Sequence, residues 1–449
     1  MKALFVTVVF ISALTSVINP VLGQGLAFVS NTNAVGNGPS SVIAVDIKGD
    51  GKLDLVCTDS KDNTLTVLTN DGSGGFVSNA TYSVPGVNPA CVTAADINGN
   101  GKPDLVAALF NNNNGPGELV VLTNDGSGGF VSNATYTVGF GPSCVVAVDV
   151  NGDGKIDLVT ANGSVPPGGL TVLTNDGSGG FVLDATLGTE NFFTQSHWVA
   201  AADIKGDGKV DLISANIESP ANTLTVFTND GSGEFGSNAT YIVGLLPQCV
   251  VAADINGDGK PDLITANTSG TLTVLTNNGS GSFVSNATYS VGTGAFFVTA
   301  ADINGDGKLD LICANLITNT LTVLTNDGSG GFVFCTTLTV GDGPRSIAVA
   351  DLNGDGKLDL ISANYNDNTL TVLTQVTPPP ELTIASVSPD AVAVSWPSST
   401  TNFVLQTNAD LTTTNWGIPN YAISTTGQVE SVTISPLPSE NLFFRLMSQ

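Results

Sequence analysis

The chain is 449 residues long, with 39 Asp and Glu against 13 Lys and Arg for a formal net charge of −26, and it is 41% hydrophobic but only 12% charged. Phosphate binding needs clustered cations, so nucleic acid is excluded as a partner, and the acids form no long block of the kind that keeps a chain disordered. The 52 glycines and the alternating Val, Thr, Leu and Asn point to strands, and the length admits several domains of about 100–200 residues, or one repeat domain with an appendage.

Residues 1–23 read as a secretory signal peptide. Lys2 precedes an apolar stretch from Ala3 to Ile18, and Asn19-Pro20-Val21-Leu22-Gly23 ends in small residues that place cleavage before Gln24. The stretch is short for a membrane span, and Gln24 stands where a lipoprotein would carry cysteine. No other segment is long and apolar enough to cross a bilayer as a helix. The expectation is a secreted, soluble protein.

A repeat follows. The string D-x-[NK]-G-[DN]-G-K-x-D begins at Asp46, Asp96, Asp149, Asp203, Asp254, Asp302 and Asp351. An apolar run such as Val42 to Val45 leads into each copy, and a second run follows (Leu53 to Cys57). After a variable polar loop come Leu65 to Thr69, the turn Asn70-Asp71-Gly72-Ser73-Gly74-Gly75 and a fourth run from Phe76 to Val84. Four short strands at a spacing of about 40–50 residues predict an all-β propeller, and seven loops predict seven blades. The seventh copy stops after its third strand, while residues 25–35 match a fourth strand and precede the first copy. The N-terminal strand is therefore expected to complete the last blade and remove both free edges.

The acidic loops between strands, the Gly-Gly-Phe that follows most turns and the later G-x-G-P at Gly139 to Pro142 and Gly341 to Pro344 resemble the FG-GAP/VCBS repeats of integrin-α-like propellers over residues 25–376. The resemblance implies that propeller fold and calcium in its loops. It leaves activity open, because the fold serves adhesion proteins, lectin-like binders and some enzymes. Residues 377–381 read as a Pro-rich linker, and 382–449 carry alternating runs (Ala391 to Trp396, Phe403 to Gln406, Asn441 to Leu446) that look like a small fibronectin-III-like β-sandwich.

Each acidic loop offers oxygen donors at positions 1, 3, 5 and 9 and a main-chain carbonyl at position 7, the hard donor set that calcium takes. In the third copy these are Asp149, Asn151, Asp153, Asp157 and the carbonyl of Lys155. The fifth (Asp254, Asn256, Asp258, Lys260, Asp262), sixth (Asp302, Asn304, Asp306, Lys308, Asp310) and seventh (Asp351, Asn353, Asp355, Lys357, Asp359) repeat the full set. The second (Asp96, Asn98, Asn100, Lys102, Asp104) has one carboxylate fewer. The first (Asp46, Asp50, Lys52, Asp54) and fourth (Asp203, Asp207, Lys209, Asp211) carry Lys48 and Lys205 at position 3, where lysine has no acceptor to offer. Up to seven calcium ions are expected, five of them well held. In the two lysine loops either the ion is weakened or the ammonium replaces it.

Cations are scarce outside these loops: Lys61, Arg345 and Arg445, with the single His197, remain after the leader's Lys2. Neither a nucleophile elbow nor a zinc signature is present, so a binder is expected rather than an enzyme, with a calcium-dependent polysaccharide lyase or glycosidase as the alternative. Cys91 and Cys144 fall in neighbouring blades, where they either pair or stand as small buried thiols. The loops between strands two and three and between blades vary among the copies, and they share one face. The longest holds Phe192, Phe193, His197 and Trp198, a candidate platform for an extracellular glycan or protein, although Trp198 and Phe297 also suit a plug in the channel. A monomer is expected.

Overall fold

The computed structural model describes residues 26–448 apart from 112–114, 165–167, 189–194, 218–221, 379–381, 389–390, 398–402, 410–415, 419, 428 and 436–441. The leader expected over 1–23 and most of the Pro-rich linker lie outside these residues. No helix is present among the described residues, and so none is long and apolar enough to cross a membrane.

Each repeat folds into one antiparallel sheet, and the described residues form seven such four-stranded sheets before the C-terminal unit. The first sheet takes Pro39–Val45, Asp54–Asp59, Thr64–Asn70 and Phe76–Ser83 in that order. Its second strand is buried throughout, while its fourth alternates and faces solvent. The pattern follows from position: inner strands are covered on both faces, the outermost on one. The first strands pack in a closed cycle, in which Pro39–Val45 meets both Pro89–Ala95 and Pro344–Ala350. The seventh sheet is completed by Ala27–Ala34, which pairs with Thr369–Val376, as the permuted ends of the repeat predict.

Two devices join neighbouring sheets. Near the rim, the Phe after four of the turns meets a Tyr of the preceding sheet edge to face, as in Tyr82–Phe130 at 5.6 Å and Tyr289–Phe332 at 5.4 Å. Deeper in, the Asn that opens each turn donates from Nδ2 to a carbonyl in the preceding sheet's acidic loop. Asn124 reaches Ile47 O at 2.8 Å and Asn229 reaches Val150 O at 2.6 Å. Asn70, Asn175, Asn277 and Asn326 do the same. At the seventh such position stands Gln375, whose buried Oε1 has no hydrogen-bond partner.

The six cysteines are free and buried. Cys91 and Cys144 lie side by side as hydrogen-bonded thiols, so the filler role holds and the pairing does not. From Val376 the chain forms a separate compact unit. It has a four-stranded sheet (Thr383–Ser388, Ala391–Pro397, Val429–Ile434, Ser424–Thr426 in that order) and a two-stranded one (Phe403–Asn408 with Phe443–Ser448), sharing a core around Trp396, Val394, Leu405 and Phe444.

Candidate functional site

One end of the ring carries the acidic loops. In the third, Asp149 accepts the N–H of Gly152 at 2.7 Å and of Gly154 at 2.8 Å, and Asn151 accepts that of Asp153 at 2.9 Å. Gly152 and Gly154 stand at φ 76° and 82°, the left-handed region a side chain resists, so the loop can curl around its own carboxylates. These outer side chains are thus turned to their own backbone. Among the described residues no three His, Cys, Asp or Glu side chains are gathered at metal-binding distance.

The position-9 aspartates differ. All seven are fully buried, and one oxygen of each is held by the N–H at the end of strand three, as at Asp157 Oδ1 and Asn175 N, 2.8 Å apart. Burial pushes the carboxyls of Asp54, Asp104, Asp157, Asp211, Asp262, Asp310 and Asp359 above their ordinary range. In Asp54, Asp211, Asp262 and Asp310 the second oxygen is buried with no hydrogen-bond partner. An orphaned carboxylate oxygen is costly, and a hard cation cradled by the loop would satisfy it. The donors fit calcium. In the fourth loop a cation is already at hand: the Lys205 ammonium lies 3.1 Å from Asp207 and 4.0 Å from Asp211 Oδ1, and its hydrogen bond to Asp207 pushes its pKa up.

Three position-7 lysines, Lys52, Lys209 and Lys308, brace the neighbouring turn through their ammonium groups. Lys52 Nζ donates to Asp71 O at 2.9 Å across the neighbouring turn, where a Cβ on Gly72 would lie 2.7 Å from the lysine stem. The turn aspartates serve the turn: Asp71 Oδ1 accepts both the N–H and the hydroxyl of Ser73 at 2.7 Å.

At the opposite end a cavity of about 220 Å³ opens at the mouth of the central channel. Its wall includes Ser40, Ala90, Ser143, His197, Phe296 and Arg345. These stand six residues before the first loop Asp of their repeats, a place taken in the fifth repeat by Gln248. His197 Nδ1 lies 2.8 Å from the Gln248 carbonyl, which assigns the proton to Nδ1, and burial lowers the imidazole's pKa, so the ring is neutral. Trp198 lies one residue further in. It meets Phe297 edge to face at 5.3 Å and packs into the cores of several sheets around the axis, closing the channel beneath the cavity. The same side chain also lines the cavity. Phe192 and Phe193 lie outside the described residues.

Arg345 was passed over in the sequence. Its guanidinium stacks on the Tyr365 ring, 3.5 Å from the centroid, and Lys61 approaches the same ring at 4.2 Å. The available signal was divergence: repeats alike elsewhere differ at the aligned position that the ring geometry turns toward the axis.

Comparison with known proteins agrees with this architecture. The FG-GAP-like repeat model matches residues 46–107, 98–160, 149–214, 203–265, 254–313 and 302–362. No curated protein matches. Among solved structures, BBS1N in its complex with ARL6DN is similar at a TM-score of 0.56 and 11% identity, over 79% of this chain and 97% of that one. A protein from Lactobacillus plantarum is similar at 0.53 and 14%, over 91% and 98%. At such identities the likeness is one of fold.

Proposed function

Because the chain belongs to the FG-GAP-like repeat family, we propose that it is a secreted ligand-binding module of the adhesion or lectin type, with calcium in its acidic loops and its ligand at the channel mouth. The observation that carries the reading is the cavity at the end away from the loops, walled by side chains that differ between otherwise repetitive sheets. One end is uniform and is suited to holding the ring together; the other is varied and is suited to recognition. In support of binding as a use of the fold, BBS1N was solved in complex with a protein partner, ARL6DN. The ligand is an extracellular glycan or protein. Calcium would be held by the position 1, 3, 5 and 9 side chains with the position-7 carbonyl, and would neutralise carboxylates and stiffen the loops.

The neutral His197 in the cavity favours one second reading, a calcium-dependent enzyme that degrades polysaccharide. A screen of glycans and extracellular proteins, run with calcium and with chelator, separates the two. Calcium-dependent retention without turnover is the expected result; release of shortened or unsaturated products would make the protein an enzyme. Retention by a Trp198→Ala, Phe296→Ala protein equal to that of the native chain would remove the ligand from the channel mouth.

A further inference from the structure

Resting on the reading of the channel mouth as the ligand site, we infer that the ligand is an acidic glycan whose sugar carboxylate is received by Arg345. The ring holds two cations outside its acidic loops, Lys61 and Arg345, and both lie against Tyr365, with Arg345 in the cavity wall. The same loops also carry Asp62, Asp342 and Asp367, whose carboxylates accept from Asn37 N–H, Asn366 Nδ2 and Asp342 N–H respectively, and Arg345 is the cation of the cavity wall. Arg345 has no carboxylate partner within ion-pair distance among the described residues, and its Nε is buried without a hydrogen-bond partner. The Asp59 carboxylate, at the end of the first sheet's second strand, accepts from the hydroxyls of Thr64 and Thr66. A half-buried guanidinium fixed against an aromatic ring is a pre-set fork for a carboxylate.

The rest of the wall selects a sugar. Ser60 donates its hydroxyl hydrogen to Pro89 O at 2.7 Å and Ser143 donates its own to His197 O at 2.7 Å. The Ser143 lone pairs are left as acceptors, which suits a ligand that brings hydroxyl donors, while Ser60 Oγ is shared with Ser40 Oγ at 2.6 Å. Phe296 and Trp198 supply an apolar surface for a pyranose face. The cavity, about 220 Å³, is below the ~300–1,000 Å³ of drug-sized sites and takes a single ring. An acidic peptide side chain brings the carboxylate without the hydroxyls.

Calorimetric titration of the full chain in calcium, with a galacturonate oligomer and its carboxyl-reduced neutral counterpart as probes, tests this. The uronate is expected to bind at least about ten-fold tighter than the neutral oligomer. Arg345→Gln is expected to erase the difference, Arg345→Lys to restore part of it, and Lys61→Ala to weaken binding with a shallower salt dependence. The comparison of the two ligands on the native protein stands even where an Arg345 variant fails to fold. Equal affinity for the two oligomers, unchanged uronate binding by a folded Arg345→Gln protein, or preference for an Asp/Glu-containing peptide would each overturn the acidic-glycan inference. A neutral or peptide ligand still lost on Trp198→Ala would leave the channel mouth standing as the site. A ligand unaffected by Trp198→Ala, Phe296→Ala would overturn both.

Discussion

Lys205 and Asn256 occupy the same place in adjacent loops; the chain supplies its own cation beside Asp207 in the first, and in the second the proposed function would have one taken from solution. Lys205→Asn is therefore expected to raise the calcium count by one in a calorimetric titration, while Asp149→Ala lowers it by one. Equal counts for Lys205→Asn and the native protein would refute the ranking of loops. His197 makes a second prediction. Burial holds its folded-state pKa below the ordinary value of ~6.5, so its contribution to stability is complete above that value and is lost as pH falls through the folded pKa. The native protein should lose up to about 1 kcal/mol per pH unit on acidification below ~6.5, relative to His197→Gln. Thermal melts at pH 7 and pH 5 decide it, and parallel slopes would count against a buried neutral imidazole.

At the scale of the element, the Asn of the Asn-Asp-Gly turn links three parts at once. Asn229 donates its N–H to Asp211 and its Nδ2 hydrogen to Val150 O in the preceding sheet, and its Oδ1 accepts the N–H of Gly231. Asn229→Ala leaves buried carbonyls unpaired and should cost about 1–3 kcal/mol, a fall of a few degrees in the melting temperature. Removing the Ala27–Ala34 strand is more severe, because it bares the edge of Thr369–Val376 along its length. The truncated chain should melt many degrees lower or aggregate; a melt matching the native one would refute closure by this strand. Strands and closure were legible because a repeat announces its own boundaries and its permuted ends announce the join. The tethers were not, since Asn before Asp-Gly already has a sufficient local reason as a turn former. The cavity was legible only through His197 and Trp198. Arg345 and Phe296 lie far from them in sequence, and only the curvature of the ring brings them together.

Across the whole molecule, the two ends of the ring differ in charge and in variability. The acidic end holds 20 loop carboxylates, and without a counter-ion their repulsion acts on every seam. Extracellular calcium sites have dissociation constants near ~10⁻⁴–10⁻³ M, so each contributes about 0.5–1.5 kcal/mol at millimolar calcium. Chelation should lower the melting temperature by about 5 °C, and magnesium at equal concentration should restore less of it. An unchanged melt in chelator would remove calcium from the loops. The join made by Ala27–Ala34 also has a consequence for biosynthesis. This strand leaves the ribosome first, and its partner, Thr369–Val376, follows about 340 residues later. At ~5–20 residues per second the nascent chain must keep this unpaired strand, begun by the buried Ala27 and Phe28, out of wrong pairings for roughly 20–70 s. Growing sheets with near-identical edges offer it such pairings throughout that interval, so the yield of closed rings is set by how well the early strand is shielded until the last one emerges.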